Sequence, residues 1–256
     1  MAGVLYEKKN QIAYVTINRP EVMNAMDYEV LTGLAEAWQK LDKDPELRVG
    51  ILTGAGDKAF CAGMDIKKVC GEVDHDYFVN LTGIPLAPSV DETVKPVIAA
   101  INGYCLAGGL ELALGCDIRV ASETASFGCP EPRWNLLHGY GALRLPHVIP
   151  ISVAMEMLLS GDRISAQEAY RIGLVSRVVL PAELMPTAEK IAKRICENGP
   201  IAVKLTKELA YWGLSIPLAE GLRLGAAFNH ILTQTEDTME GTKAFAEKRT
   251  PQFKGR

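Results

Sequence analysis

The chain has 256 residues, of which 48% are apolar and 23% are charged, and its 27 Lys and Arg residues against 31 Asp and Glu residues give a net charge of −4. This composition is typical of a folded globular protein and excludes a disordered or fibrous chain. A net charge this close to neutral disfavours a nucleic-acid-binding protein, although a few local Lys or Arg residues can still hold an anionic ligand.

Targeting and metal-binding patterns are absent from the sequence. No apolar run approaches the ~20 residues of a membrane-spanning helix, so we expect no membrane association. The N-terminal residues lack the basic-then-apolar layout of a signal peptide, and we expect a cytoplasmic protein. The cysteines form no C-x-x-C motif and the four histidines show no paired spacing, so we expect reduced cysteines and no metal. The cysteines are Cys61, Cys70, Cys105, Cys116, Cys129 and Cys196.

The first 120 residues alternate between strand-like and helix-like patterns. Strands are predicted at 11–18, 48–53 and 96–101, where short runs rich in β-branched residues are bounded by Gly, Pro, Asn or Asp. Between the first two strands, apolar residues recur at helical spacing over 27–41, with Asp27 as the N-cap. Crossovers of this length predict parallel strand pairing in an α/β core.

From about residue 146 the pattern is mainly helical. The predicted helices span 151–160, 165–172, 200–213 and 218–233. The second of them begins with a capping box from Ser165 to Glu168. No composition shift marks a second folded domain, so we divide the chain into a core over 1–199 and a helical C-terminal region over 200–256. The segment 71–94 is predicted to be a partly irregular loop, and connections of this length often form pocket walls.

A candidate oxyanion-binding turn lies at Gly108 and Gly109, between the third predicted strand and a short helix predicted over 109–116. Amide groups at a helix N-terminus are unpaired and favour negative charge, and glycine lets a ligand approach the backbone closely. The turn therefore suits a developing oxyanion, with a simple tight turn as the alternative. A weaker candidate of the same kind is the amide near Met64, in the small-residue turn at 58–66.

Two glutamates are candidates for acid/base chemistry. Glu111 lies in the first turn of an apolar helix, where burial raises the pKa of a carboxyl group; a surface interaction with the helix dipole is the alternative. Glu131 lies between Pro130 and Pro132, which predicts an extended loop rather than a helix. Brought together at the oxyanion-binding turn, the two would form an acid/base pair.

Four segments carry a resemblance to a known family. FCAGMDI at 60–66, KPVIAAINGYCLAGGLELALGCD at 95–117, ASFGCPE at 125–131 and SGDRISAQEAYRIGLV at 160–175 resemble the enoyl-CoA hydratase/isomerase, or crotonase, superfamily. The resemblance implies an α/β fold with a spiral of ββα turns and a helical trimerisation region over 200–256. It further implies a homotrimer or a hexamer built as a dimer of trimers, and an acyl-CoA substrate whose enolate is stabilised by the amides of Met64 and Gly108.

The presence of both glutamates implies a hydratase. In this family Glu111 matches the residue that activates water for attack at Cβ, and Glu131 matches the residue that delivers a proton to Cα. Such an enzyme adds water reversibly to a 2-enoyl-CoA with no cofactor besides the CoA of its substrate. Further substrate contacts are implied at Ala62, Asp65, Ile66 and Lys248, although a surface role is equally open for Lys248.

The run after Glu131 departs from the family's usual small aliphatic pattern. Trp134, His138 and Tyr140 add rings and hydrogen-bonding groups, and the run is one residue shorter than usual. We interpret these three residues as substrate-binding candidates that favour a cyclic or polar acyl group, with core packing as the alternative.

Several alternatives remain open within and outside the enzyme class. Within it they are carnitinyl-CoA dehydratase, cyclic dienoyl-CoA hydratase and Δ3-Δ2 enoyl-CoA isomerase. A non-catalytic acyl-CoA- or RNA-binding protein is the alternative from another class, since folds are reused. The two intact glutamates argue against it.

Overall fold

The structure is a computed structural model that describes residues 2–71, 90 and 92–256, with no side-chain description for 69–71. In this part of the chain ten strands form two sheets. They are β1 Val4–Lys9, β2 Ile12–Ile17, β3 Val49–Gly54, β4 Ala59–Cys61, β5 Val97–Ile101, β6 Tyr104–Leu106, β7 Ile118–Ser122, β8 Ser126–Gly128, β9 Arg163–Ser165 and β10 Arg177–Val179.

The two sheets are built by a chain that visits them alternately. The larger sheet has the order β1-β2-β3-β5-β7-β10 and the smaller one the order β4-β6-β8-β9. All neighbours pair in parallel except β1 with β2 and β8 with β9. The pairs β3–β4, β5–β6 and β7–β8 each contribute one strand to each sheet. The predicted α/β spiral of ββα turns is therefore confirmed, as is the parallel pairing of β2 with β3 and of β3 with β5.

Helices of the described residues connect and cover these sheets. They are α1 Tyr28–Lys43, α2 Ile66–Gly71, α3 Gly108–Gly115, α4 Gly139–Val148, α5 Ile151–Ser160, α6 Ala166–Arg171, α7 Leu184–Cys196, α8 Pro200–Trp212, α9 Leu218–Thr233 and α10 Glu236–Glu247. Short 3-10 helices lie at Pro20–Val22, Glu131–Trp134 and Pro181–Glu183. None of the helices in the described ranges is long and apolar enough to cross a membrane.

The local signals of the sequence are mostly confirmed. The strands predicted at 11–18, 48–53 and 96–101 are β2, β3 and β5. Asp27 caps α1, because its Oδ1 accepts a hydrogen bond from Val30 N at 3.1 Å. Ser165 caps α6 in the same way, but the Glu168 carboxylate binds Arg171 instead of returning to the cap, so only half of the predicted capping box forms. Most of the segment 71–94 lies outside the described residues.

The central strands have continuous apolar sequences because both faces of the larger sheet are buried there. Leu52 of β3 points into a cluster shared with Leu34 and Trp38 of α1, whereas its neighbour Ile51 packs on the other face with Ala188 of α7. Cysteines serve as small apolar residues in this packing. Cys61, Cys105, Cys116 and Cys129 are buried thiols and Cys196 is a half-buried one, as predicted, while the side chain of Cys70 lies outside the described residues.

The C-terminal helices attach to the core through a carboxylate that follows α3. Asp117 accepts hydrogen bonds from Lys207 Nζ at 2.9 Å and from Tyr211 Oη at 3.0 Å, both on α8. The helices predicted at 200–213 and 218–233 are α8 and α9. The division of the chain at residue 199 stays a prediction.

Candidate active site

Glu111 is a buried carboxylate held by a helix N-terminus. It lies on α3, where all eight residues are buried, and is itself only 4% exposed. Its Oε1 accepts a hydrogen bond at 2.9 Å from Gly141 N, in the first turn of α4. Burial raises the pKa of Glu111, and the nearby His138 and the Gly141 amide only partly oppose this shift. The interior position rules out the alternative in which Glu111 interacts with a helix dipole at the surface.

Glu131 begins a helical turn, so the prediction of an extended loop at this residue is wrong. It is the first residue of the 3-10 helix Glu131–Trp134. Pro132 occupies the second position of that helix, where its fixed φ suits a helical turn and its missing N–H has no partner to lose. The turn ends at Asn135, which adopts a left-handed φ of 56° and donates its N–H to the Glu131 carbonyl.

His138 joins the two glutamates. Its Nδ1 lies 2.5 Å from Glu131 Oε1 and 3.9 Å from Glu111 Oε1. The residue is 3% exposed, and burial alone would favour its neutral form. Hydrogen bonds to Cys129 and Glu131 outweigh that effect and raise the pKa of His138 above its ordinary value. The structure thus brings together Glu111, Glu131 and one of the three ring residues that the sequence singled out.

Gly141 is a site residue that the sequence analysis missed. A Cβ built at this position would lie 1.9 Å from His138 Nε2, so any larger residue displaces the imidazole. The same residue donates the amide that holds Glu111. No local pattern in the sequence points to Gly141, because its role depends on contacts with the His138 ring and with Glu111 on the distant α3.

The amides of Met64 and Gly108 lie in two loops that pack directly against each other. A Cβ built at Gly63 would lie 2.6 Å from Ala107 Cβ and 3.3 Å from Gly108 N. Gly63 also has a φ of 101°, which only glycine adopts without strain. At Gly108, a built Cβ would lie 3.9 Å from Glu111 Oε2. The two loops and the Glu111 carboxylate therefore form one continuous surface.

Both amides lack an acceptor among the residues that the structure describes. Gly108 begins α3, so its N–H has no intrahelical acceptor. Met64 pairs with Met26 in an isolated β-bridge, whose two hydrogen bonds run from Met26 N–H to Gly63 O and from Asp65 N–H to Met26 O. Neither bond uses the Met64 N–H, which is therefore unpaired within the described chain. Ala107, which precedes the second amide, adopts φ 53° and ψ −131°, an unfavourable conformation for alanine that costs about 1–3 kcal/mol. The surrounding packing holds this strained turn in place.

Ion pairs hold the Met64 loop in position. Asp65 Oδ2 accepts a hydrogen bond from Arg19 Nη2 at 2.9 Å, and its backbone N–H binds Met26 O. Asp27 accepts from Lys68 Nζ at 2.7 Å and lies 3.3 Å from Arg19. The carboxylate of Asp65, a predicted substrate contact, is therefore paired with Arg19.

The remaining substrate-binding candidates are spread over the surface. Ile66 is 46% exposed at the start of α2, and Ala62 is half-buried in the same loop. Trp134 is 71% exposed, one turn from Glu131, whereas Tyr140 is half-buried and packs against the core.

Lys248 caps the end of α10 and is exposed, with no side-chain hydrogen bond to any described residue. No contact within residues 2–71, 90 and 92–256 links it to the glutamates.

Two buried polar atoms at the centre of the site have no partner among the described residues. They are Glu131 Oε2 and His138 Nε2. Buried polar groups are normally hydrogen-bonded, so the unpaired Glu131 oxygen beside a second carboxylate marks a place where a ligand completes the bonding, whereas His138 Nε2 faces Gly141.

Comparisons with known proteins identify the family of this chain. The family model described as enoyl-CoA hydratase/isomerase matches residues 7–256. An (E)-benzylidenesuccinyl-CoA hydratase of Thauera aromatica is 46% identical over 98% of this chain and 99% of its own, and a carnitinyl-CoA dehydratase of Salmonella typhi is 39% identical over 97% of each. The crystal structure of an enoyl-CoA hydratase from Bacillus anthracis superimposes with a TM-score of 0.95 at 38% identity, covering 99% of this chain and 100% of the other.

Proposed function

Since the chain belongs to the enoyl-CoA hydratase/isomerase family, we propose that it is a hydro-lyase that adds water reversibly to a 2-enoyl-CoA thioester. The observation that carries this proposal is the pair of glutamates, both joined to His138, beside the free amides of Met64 and Gly108. Hydration needs a base near Cβ and an acid near Cα of one double bond, together with a site for the enolate oxygen.

The proposed reaction divides the proton transfers between the two carboxylates. Glu111 accepts a proton from water while the water oxygen forms a bond to Cβ. The electrons of the double bond move towards the thioester carbonyl, and the Met64 and Gly108 amides stabilise the oxyanion that develops there. Glu131 then supplies the proton that bonds to Cα. The chemistry needs no metal or redox cofactor, because two fixed amide dipoles provide the electrostatic stabilisation.

We propose an acyl group bulkier than a straight chain. Trp134 and Leu137 expose 71% and 86% of their surface in the run between Glu131 and His138, and they offer ring and apolar surface next to the glutamate pair. The relative from Thauera aromatica is named for a substrate with a benzylidene group, which agrees with this preference.

A hydration assay with several thioesters tests the proposal. The panel comprises crotonyl-CoA, a longer straight-chain 2-enoyl-CoA, crotonobetainyl-CoA, an aryl-substituted 2-enoyl-CoA and a cyclic dienoyl-CoA, with the product mass checked for each. The 3-hydroxyacyl product is expected, with the highest kcat/KM for the aryl thioester.

Other outcomes identify the alternatives. A shifted double bond without added water indicates an isomerase, preference for crotonobetainyl-CoA indicates the carnitinyl-CoA reaction, and preference for the dienoyl-CoA indicates the cyclic substrate. Binding without turnover contradicts the enzymatic proposal.

The C-terminal helices support a proposed homotrimer or dimer of trimers. Trp212, Leu218, Leu222 and Phe245 on or beside α8–α10 are each more than half exposed in the single chain. Such a concentration of exposed large apolar residues is typical of subunit contacts. We place this assembly in the cytoplasm. Light scattering coupled to size-exclusion chromatography tests the proposed oligomeric state, and a monomeric mass contradicts it.

A further inference from the structure

We propose that His138 and Glu131 form a single proton-holding pair, in which the imidazole stores the proton that Glu131 delivers to Cα. This inference rests on the proposed hydration and deepens it. His138 acts through Glu131 and not on the substrate, so it is a positioning residue for the transferred proton. The sequence analysis interpreted the same residue as a substrate contact.

Three observations about His138 carry the inference. The imidazole is 3% exposed and wedged against Gly141, where no Cβ fits, so the ring has little freedom to turn away. Its Nδ1 lies within hydrogen-bond distance of Glu131 Oε1, as proton transfer between the two groups requires. Its other nitrogen has no hydrogen-bond partner in the described chain, so Glu131 is the carboxylate that holds the ring most closely.

The charges around the ring favour the protonated imidazole. The titratable groups that face it are Glu131 in its own turn, Glu111 on α3 and the Cys129 thiol after β8. Two of these three are carboxylates, and His138 supplies the cation between them. The raised pKa of His138 agrees with this arrangement. A pair of this kind retains its proton at a higher pH than a lone glutamate, whose ordinary pKa is about 4.3.

The proposed proton transfer runs from His138 through Glu131 to Cα. In the resting pair the imidazolium Nδ1–H donates to ionised Glu131. The N–H bond breaks as an O–H bond forms on Glu131, and that bond breaks as the enolate electron pair at Cα takes the proton. His138 ends neutral with a proton on Nε2, Glu131 ends ionised, and Glu111 holds the proton taken from water. Exchange with solvent restores the starting state.

The pH dependence of His138→Gln tests the pair, with His147→Gln as the matched control on the exposed side of α4. Glutamine keeps a hydrogen bond to Glu131 but cannot hold the proton. We expect kcat/KM for hydration to fall by ~10²-fold near pH 8, because general acid catalysis typically contributes 10²–10⁴-fold. We also expect the alkaline limb of the pH profile to move down by more than about one unit, because a carboxyl alone releases its proton earlier. Imidazole added to His138→Ala restores part of the rate.

A second measurement keeps the test valid if these variants do not fold. The NMR titration of ¹⁵N-labelled histidine in the unmodified protein is expected to give a pKa of about 10 for His138, and Glu131→Gln is expected to lower it. A His138 that titrates at or below its ordinary value overturns the pair.

The outcomes also separate this inference from the proposed function. Normal hydration by the unmodified protein, with an unchanged alkaline limb and a changed KM in His138→Gln, leaves the hydratase standing and makes His138 a substrate contact. No hydration of any thioester by the unmodified protein overturns both.

Discussion

Helix α3 has a carboxylate near each end, and the two differ in their hydrogen-bond partners. Asp117, just after the helix, accepts hydrogen bonds from Val97 N, Lys207 Nζ and Tyr211 Oη, at 2.7, 2.9 and 3.0 Å. Glu111, in the first turn, is held by backbone N–H groups and has no Lys or Arg partner in the described chain. Both oxygens of Asp117 accept hydrogen bonds from the protein, whereas Glu111 can still accept a proton.

The two carboxylates therefore differ in whether their partners leave them able to accept a proton. The Asp117 carboxylate serves an attachment role, because its partners are a cation and a hydroxyl on α8. A buried carboxylate that lacks a strong cation is poised to accept one, which is what a general base needs. The predictions below are ranked by their effect on kcat/KM for hydration.

Replacement of Glu111, the proposed base, has the largest expected effect. Glu111→Gln removes the base but keeps the shape and the hydrogen bond from Gly141, so kcat/KM is expected to fall by ~10³- to 10⁴-fold. The melting temperature changes little, because no ion pair with Lys or Arg is lost. Steady-state kinetics with thermal unfolding measure both quantities. Full activity in the folded variant would remove Glu111 from the mechanism.

Addition of one methyl group beside His138 comes next. In Gly141→Ala the new Cβ meets the imidazole and shifts the turn that holds Glu111, and misplacement by about 1 Å costs ~10²-fold. Gly221→Ala on α9 is the control, since its Cβ meets nothing closer than 3.9 Å. Equal rates for the two variants would show that the packing around His138 does not determine catalysis.

The acid side of the pH profile gives a smaller, graded effect. Burial raises the pKa of Glu111, and the base must be ionised to act, so activity is lost as the pH falls through that raised value. The acid limb of kcat/KM is therefore expected to have its midpoint above the ordinary 4.5, with a tenfold loss per unit below it. A midpoint at or below 4.5 would contradict the buried-base assignment.

The smallest effect on turnover is expected at the other end of α3. Asp117→Asn weakens the contacts with Lys207 and Tyr211 and lowers the free energy of unfolding by about 1–3 kcal/mol. The kcat/KM of the folded enzyme is expected to stay unchanged. Urea unfolding and kinetics on the same sample check this, and a large loss of kcat would mean that the two carboxylates are coupled.

Much of this architecture was predictable because local patterns and tertiary packing agree. The alternation of β2, the capping of α1 by Asp27 and the Gly108 turn each have a short-range signal. The turn at Glu131 was predicted wrongly because Pro132 has two opposing effects. It favours an extended conformation for the residue before it, but it also suits the first turn of a helix. Tertiary packing decided in favour of the helical turn. The position of His138 depends on Gly141 and on the distant α3, which no local pattern encodes.

The central claim is that the site adds water, with Glu111 as its base. Its most direct test is mass analysis of the product formed from a 2-enoyl-CoA in ¹⁸O-labelled water, by the unmodified protein and by Glu111→Gln. The account predicts a 3-hydroxyacyl-CoA with the label at C3 from the unmodified protein, and almost none from the variant. An unlabelled product with a shifted double bond, or labelled product at equal rates from both, would contradict it.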